Sequence, residues 1–219
     1  MKIEIFSDIL CPWCYVGKRR IQDALDRFGH QDEVEVVWRS YELGPEAEHE
    51  PGPTAEKVME QWMDPAAVPV RVAQIKEHGR KEGVELNMHL STPVNSFDAH
   101  RLTHLAAARG GADEMVERLL HGYHTAAVNI ADHDVLVRLA EEAGLDAAEA
   151  RGVLAGDAYA DAVRADEQRA RDLGVSGVPS VVVDGLPPVS GVMDPAALVE
   201  HLERARSRSA AHAASPAGE

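Results

Sequence analysis

The positions of the strand-like segments constrain the fold most, because these segments lie only near the two ends of the 219-residue chain. Residues 2–7, KIEIFS, alternate apolar and polar side chains as a half-buried strand does. Residues 34–38, VEVVW, are rich in β-branched residues, and the next segment of this kind is PSVVV at residues 179–183. The chain between the second and third segments has helical periodicity. A sheet built from these strands must therefore be interrupted by a helical insertion.

A helix is predicted between the first two strands. Apolar residues recur at spacings of three to five from Cys11 to Phe28, and Gly29 is a helix-stop signal. A strand, a helix and a strand in this order favour a right-handed parallel βαβ unit. Further helix and turn signals lie at Pro65, Asn95-Ser96, Asp132, Asp184-Gly185 and Asp194-Pro195.

These elements predict an α/β protein with a thioredoxin-like fold and an inserted all-helical domain. Residues 1–50 are predicted to form the first part of the thioredoxin-like domain, residues 51–156 the helical insertion and residues 157–206 the second part of the domain. Residues 207–219 are small and polar, which predicts a disordered tail.

The charge balance excludes some classes of partner. The chain carries 37 acidic and 22 basic residues, a formal net charge of -15. Such a surface repels phosphate backbones and anionic lipid, so we expect neither nucleic acid nor a membrane as partner. The sequence begins without a basic segment followed by an apolar one, and no apolar run approaches the roughly 20 residues that span a bilayer. We therefore expect a cytoplasmic protein.

Both cysteines of the chain, Cys11 and Cys14, lie in the motif CPWC at the start of the first predicted helix. A stabilising disulfide is disfavoured, because the cytoplasm is reducing and closing so short a loop removes little entropy from the unfolded chain. A zinc site would need more ligands, yet there is no second cysteine pair and the eleven histidines are scattered. A redox couple is favoured, and no metal is predicted.

The motif suits thiol-disulfide exchange. Free N–H groups and the positive end of the helix dipole stabilise a thiolate at Cys11, and Pro12 is tolerated in the first turn. Cys14 lies one turn further on the same face, within disulfide reach. We expect Cys11 to attack a substrate disulfide and Cys14, the more buried of the two, to resolve the mixed disulfide.

A second segment, GVSGVPSVVV, is expected to face the cysteines. In a thioredoxin-like fold the position of Pro179 holds a cis-proline. The backbone of Val178 can then pair with an extended substrate as an added strand. Pro12, Trp13, Val178 and Pro179 are the predicted substrate-binding residues of this region.

The chain resembles the DsbA-like branch of the thioredoxin superfamily, specifically FrnE-like oxidoreductases, over roughly residues 1–203. The motifs that carry the resemblance are SDILCPWCYVGK, WRSYELGP, NSFDAHRL, VLVRLAEEAGLD and RARDLGVSGVPSVVVDG. The resemblance implies a thiol-disulfide oxidoreductase without a bound cofactor, acting on a disulfide-bearing protein or small molecule. Glutathione, as a co-substrate, or a thioredoxin system is the implied redox partner.

The resemblance also implies that Asn95 and His100 bind substrate where the helical domain faces the active site. The alternative is that Asn95 or Ser96 caps a helix and that His100 is a polar core residue. Two departures from the family, Ser180 and Pro187-Pro188, lie in the last hairpin, and the prolines predict an edge or broken strand.

Two other functions stay open. The same fold group includes kappa-class glutathione transferases and hydroxychromene-carboxylate isomerases, which commonly have serine where this chain has Cys11. The runner-up is therefore a glutathione-dependent isomerase or transferase acting on a small aromatic metabolite. A non-catalytic binding module is the third possibility.

Overall fold

One four-stranded sheet organises the fold in this computed structural model, which describes residues 1–214 and the side chains of residues 1–209. The strands are β1 (Lys2–Ser7), β2 (Glu35–Ser40), β3 (Ser180–Val183) and β4 (Val189–Ser190), in the order β2-β1-β3-β4. β1 pairs parallel with β2 and antiparallel with β3, and β4 is antiparallel to β3. The predicted thioredoxin-like α/β fold, interrupted by a helical insertion, is confirmed.

The insertion lies between β2 and β3. The helices of the described chain are α1 (Pro12–Phe28), α2 (Ala55–Met59), α3 (Val68–Lys81), α4 (Phe97–Ala108), α5 (Ala112–His124), α6 (His133–Glu142), α7 (Ala147–Ala155), α8 (Ala160–Asp172) and α9 (Pro195–Ala214). A 3-10 turn at Gln31–Glu33 precedes β2. Within residues 1–214, no helix is long and apolar enough to cross a membrane.

The predicted stop and turn signals act as expected. Gly29 ends α1 with a left-handed φ of 72°. Asp132 caps α6, because its carboxylate accepts hydrogen bonds from the backbone N–H groups of Asp134 and Val135. After β3, Asp184 (φ 47°) and Gly185 (φ 72°) both take the left-handed conformation that a tight hairpin turn needs.

The apolar core has two main parts. One lies between the sheet, α1 and α9, and it also contains buried side chains from the start of the insertion, among them Val72, Ile75 and Leu86. The other lies among α4, α5, α6 and α7, with Leu102 and Leu119 at its centre. α3 therefore packs on α1, whereas α4, α6 and α7 contribute to the second core and α5 contributes to both. The domain boundaries at residues 50 and 156 stay a prediction.

A cluster of polar contacts, here called the α1–α5 clamp, joins the first helix to the insertion. The side chain of Lys18 is only 5% exposed, and its Nζ lies 2.8 Å from Asp113 Oδ2 and 3.5 Å from Glu117 Oε2. Arg19 Nη2 lies 2.6 Å from Glu117 Oε1, to which the Tyr15 hydroxyl donates at 2.9 Å. Lys18 and Glu117 are largely buried, at 5% and 14% exposed, so their contact is stronger than a surface ion pair and holds α1 on α5, whereas Asp113 is 60% exposed.

A second buried network attaches α8 to the sheet. Arg39 Nη2 lies 2.7 Å from Glu4 Oε1, and its Nη1 lies 2.8 Å from Asp166 Oδ1. Arg169 also pairs with Glu4, and Asp166 Oδ2 accepts a hydrogen bond from the backbone N–H of Ser40. Burial acts to raise the pKa of Glu4, but the hydrogen bonds and charges of Arg169 and Arg39 hold it below its ordinary value.

The C-terminal region departs from the prediction. α9 continues to Ala214, so the predicted disordered tail does not begin at residue 207. Residues 207–214 include four alanines, which have the highest helix propensity and favour extension of the helix. Residues 215–219 lie outside the described residues. The short β4 follows Pro187-Pro188 and lies at the sheet edge, which confirms the predicted edge strand.

Candidate active site

Cys11 lies at the N-terminal end of α1, immediately beyond the loop that follows β1. It is the N-cap residue, with φ -85° and ψ 114°, and Pro12 starts the helix. Asp8 fixes the loop, because its carboxylate accepts hydrogen bonds from the backbone N–H groups of Leu10, at 3.4 Å, and Leu43, at 2.7 Å. The Cys11 thiol donates a weak hydrogen bond to the backbone oxygen of Val178 at 3.5 Å.

Cys14 lies one turn later and deeper in the molecule. It is 1% exposed against 6% for Cys11, which confirms the predicted order of burial. The two cysteine side chains lie 3.7 Å apart, and both cysteines are free thiols. Burial raises the pKa of Cys14 well above its ordinary value, and the neighbouring Cys11 raises it further. Cys14 is therefore a neutral thiol near pH 7 until a proton is removed.

The loop before β3 completes this side of the site. Its Val178–Pro179 peptide bond is cis. Pro179 packs between two glycines: a Cβ on Gly17 would lie 2.6 Å from Pro179 Cγ, and a Cβ on Gly191 would lie 2.9 Å from Pro179 Cβ. The backbone N–H of Gly191 also donates to the Pro179 oxygen at 2.9 Å. Glycine at both positions thus lets the loop approach α1 and places Val178 against Cys11.

Trp13 lines two recesses, one of which also includes Cys11. The cis-proline groove, of about 490 Å³, is lined by Trp13 and by parts of residues 174–180 and 188–192. The second recess, here called the apolar cavity, has a volume of about 380 Å³ and includes Cys11 in its lining. Its other walls come from residues 43–47, from α2 and α3, and from Trp62, Met88, Pro93 and Tyr123.

Buried polar side chains lie behind the cysteines. His100 Nε2 lies 3.4 Å from Asp8 Oδ1, and both residues are inaccessible to solvent or nearly so. Neither ring nitrogen of His124 has a hydrogen-bond partner among the described residues. Burial lowers the pKa of His124 to about 4, although the backbone of Ile9 and Cys11 partly offsets this effect. His124 is therefore a neutral ring at physiological pH.

The structure brings together only some of the residues predicted to bind substrate. Pro12 and Trp13 line the apolar cavity, and Trp13, Val178 and Pro179 line the cis-proline groove. Asn95 lines neither recess: its Nδ2 donates to the Pro45 oxygen at 3.1 Å, and its Oδ1 accepts from the Phe97 N–H at 3.0 Å, at the start of α4. His100 is in the core beside Asp8. Substrate binding by Asn95 and His100 stays a prediction.

Sequence reasoning missed four residues of this region: Gly17, Arg71, Tyr123 and His124. An isolated glycine within a predicted helix often has a packing reason, so Gly17 carried a usable signal. The other three residues carried none, because their roles depend on contacts between distant segments. Within the described part of the chain, His, Cys, Asp and Glu side chains nowhere form a group of three or more that could hold a metal.

The comparison with protein families agrees with this geometry. A model of the DSBA-like thioredoxin domain matches residues 2–203. The chain belongs to the DSBA-like thioredoxin domain family. This confirms the DsbA-like part of the predicted resemblance, while the FrnE-like assignment within the family stays a prediction.

Individual relatives extend the comparison. The chain is 30% identical over 183 residues to the uncharacterized protein YwbO of Bacillus subtilis (strain 168), covering 83% of this chain and 86% of that protein. The crystal structure of the probable DsbA oxidoreductase SCO1869 from Streptomyces coelicolor has a TM-score of 0.91 at 36% identity, covering 100% of this chain and 93% of that one. Cytosolic disulfide reductase DsbM from Pseudomonas aeruginosa, in its structure with GSH, shares the fold with a TM-score of 0.60 at 16% identity, covering 97% and 98%.

Proposed function

We propose that this DSBA-like protein is a cytoplasmic thiol-disulfide oxidoreductase in which Cys11 is the nucleophile and Cys14 the resolving thiol. One observation carries the proposal: Cys11 is the N-cap residue of α1, lines the apolar cavity and contacts Val178 of the cis-proline loop, and the more buried Cys14 lies one turn further on. A nucleophile at a helix N-terminus with a second thiol within disulfide reach is the arrangement that exchange requires.

The exchange has two steps. The Cys11 thiolate attacks one sulfur of the substrate disulfide, which forms a mixed disulfide and releases the other sulfur as a thiolate. Cys14 then loses its proton and attacks Cys11 Sγ, which forms the Cys11–Cys14 disulfide and releases the second substrate thiolate. Two electrons pass from the protein to the substrate, and the reverse sequence oxidises a substrate dithiol.

We propose that the cis-proline groove binds the substrate chain around its disulfide. The backbone of Val178 is available there for strand-like pairing, and Trp13 supplies an aromatic wall. Glutathione or a thioredoxin-type dithiol returns the Cys11–Cys14 pair to its reduced form. The GSH in the structure of the related reductase DsbM supports a glutathione partner, although only the fold is shared with that protein.

Single-cysteine variants test the proposal. Cys11→Ser should abolish disulfide reduction, because Cys14 is buried and its pKa is raised. Cys14→Ser should accumulate the mixed disulfide, seen by mass spectrometry as a mass increase on Cys11 that dithiothreitol removes. Normal turnover by Cys11→Ser would refute the proposal.

The reduction potential of the pair decides the direction of the reaction. Equilibration in glutathione redox buffers should give a value near that of thioredoxin, roughly -270 mV, for a cytoplasmic reductase. A value of roughly -180 to -120 mV would instead indicate an isomerase or oxidase.

One observation favours the runner-up function. The apolar cavity beside Cys11, of about 380 Å³, is large enough for a small aromatic molecule. A glutathione-dependent isomerase or transferase would bind glutathione without needing Cys11 as a nucleophile. Calorimetric titration of reduced Cys11→Ser protein with glutathione tests this, and an absence of binding would remove the runner-up.

A further inference from the structure

The exchange steps described above use Cys11 from the lining of the apolar cavity and assign no role to its other walls. Its lining includes Met59, Ile75 and Met88, each at most 5% exposed. At the same cavity, Trp62 is 67% exposed and Leu43 is 52% exposed. Exposing large apolar side chains next to a concave apolar surface favours association with a ligand, because their burial would remove apolar area from water.

Arg71 is the cationic residue of the cavity lining. Its guanidinium carbon lies 5.5 Å from the centre of the Trp13 ring. Among the described side chains no carboxylate pairs with Arg71, whereas Arg80, on the same helix, pairs with Glu77 at 2.9 Å. In a chain with a net charge of -15, an arginine without an acidic partner beside an apolar cavity can receive an anion.

Tyr123 adds a buried polar group to the lining. It is 1% exposed, and its hydroxyl makes no hydrogen bond of good geometry in the part of the chain that the structure describes, with only the buried Ser91 hydroxyl beside it. A buried hydroxyl without a partner is costly, and a polar ligand atom would satisfy it. The lining therefore combines apolar walls, one cation and one unsatisfied hydroxyl around the nucleophile Cys11.

We propose that the apolar cavity binds one half of a small-molecule disulfide, an aromatic or branched apolar group whose carboxylate pairs with Arg71. The volume of about 380 Å³ suits a small ligand. The proposal rests on the proposed function, because Cys11 must attack the sulfur of the bound group. Arg71 then determines specificity and takes no part in the bond changes.

The reaction balances as a two-electron reduction. The Cys11 thiolate forms a disulfide with the bound half, and the other half leaves as a thiolate and takes up a proton. Cys14 then displaces the bound half, which leaves as a second thiolate, and the protein becomes the Cys11–Cys14 disulfide. A low-molecular-weight thiol reduces the protein again in a separate exchange.

Single-turnover kinetics of the Cys14→Ser protein test the role of Arg71. Two chromogenic probes, dithiobis(nitrobenzoate) and dithiobis(nitropyridine), share a nitroaromatic ring, and only the first carries a carboxylate. For each probe the rate constant of Arg71→Gln is divided by that of the parent, so differences between the leaving groups cancel. We expect Arg71→Gln to slow the benzoate probe by about three- to tenfold and the pyridine probe by less than about twofold.

Arg80→Gln is the matched control, since it removes the same charge from the same helix away from the cavity. It should leave both rate constants unchanged. Equal slowing of both probes by Arg71→Gln, or no slowing, would overturn the pairing with a carboxylate. A Cys11 that reacts with neither probe would instead overturn the proposed function.

Ala47→Trp tests the cavity, because Ala47 contributes to its lining. A tryptophan there should slow both aromatic probes several-fold and should slow the small bis(hydroxyethyl) disulfide by a clearly smaller factor. If the larger side chain at position 47 prevents folding, Trp62→Ala tests the same surface at an exposed position. This variant should also slow both aromatic probes. Unchanged rates for the folded variants would show that the aromatic group binds elsewhere.

Discussion

Gly17→Ala should uncouple the cis-proline loop from the helix that carries the cysteines. In most helices this substitution is stabilising, because glycine loses more backbone entropy than alanine, and the gain is about 0.5–1 kcal/mol. At Gly17 the new methyl group would lie 2.6 Å from Pro179 Cγ and 3.1 Å from the Gly191 oxygen. Carbon atoms pack best at about 3.5–4.0 Å, so the methyl group must displace the proline.

The displacement meets resistance because Gly191 also packs closely against Pro179. Inserting a methyl group into a site without room costs about 1–3 kcal/mol, which outweighs the helical gain. We expect a net loss of about 1–2 kcal/mol in the free energy of unfolding and a fall in Tm of about 2–8 °C. The rate of disulfide exchange should also fall, because Val178 no longer lies against Cys11.

Urea denaturation and single-turnover exchange measure the two effects. Gly152→Ala in α7 is the matched control, since a Cβ at Gly152 would meet no atom within 4 Å. That variant should be more stable by about 0.5–1 kcal/mol and should exchange disulfides at the parental rate. If Gly17→Ala were as stable and as active as the parent, close packing of Pro179 on α1 would not be what positions the loop.

Two further predictions concern buried titratable side chains. His124→Phe should weaken the acid sensitivity of folding. In the folded wild type the ring stays neutral down to about pH 4, whereas in the unfolded chain it takes up a proton near pH 6.5. The free energy of unfolding of the wild type therefore falls as the pH drops through this range, by about 3 kcal/mol at pH 4. Urea titrations at pH 7 and pH 4.5 measure this, and identical pH dependence in the two proteins would contradict it. Arg39→Met should lower the free energy of unfolding by about 3 kcal/mol at pH 7, because the buried carboxylates of Glu4 and Asp166 lose a cationic partner. The loss should be smaller below pH 4.5, where Glu4 becomes protonated and its ion pair no longer stabilises the fold. Arg204→Met, in an exposed pair, should cost less than about 0.5 kcal/mol, and an equal cost for both arginines would contradict the reasoning.

Several element boundaries were predictable because their signals are local. Gly29, Asp132 and the Asp184-Gly185 turn each set an element boundary through their own backbone or side chain. The limits of α5 could not be predicted in the same way, because its N-cap residue, Gly111, contributes no capping side chain. The helix is defined instead by the burial of its apolar face.

In the candidate site, too, features that depend on short motifs were predictable and features that depend on contacts between distant segments were not. The cysteine pair and the cis-proline segment are short motifs, and the sequence predicts both. The contact between Gly17 and Pro179 and the position of Arg71 over Trp13 join segments distant in sequence. Only the packing of α1 against α3 and against the loop before β3 brings them together, so no spacing rule could have found them.

The α1–α5 clamp makes the surface around Cys11 a preorganised one. Swinging α1 away from the insertion would break the contacts of the buried Lys18 with Asp113 and Glu117. It would also expose Val116 and Leu120 of α5, which belong to the same apolar core as α1. The wall formed by the first turn of α1 therefore keeps its shape before a disulfide arrives. Binding a disulfide then costs the protein little conformational entropy. Disulfides are discriminated by how well they fit a surface that is already in its bound shape.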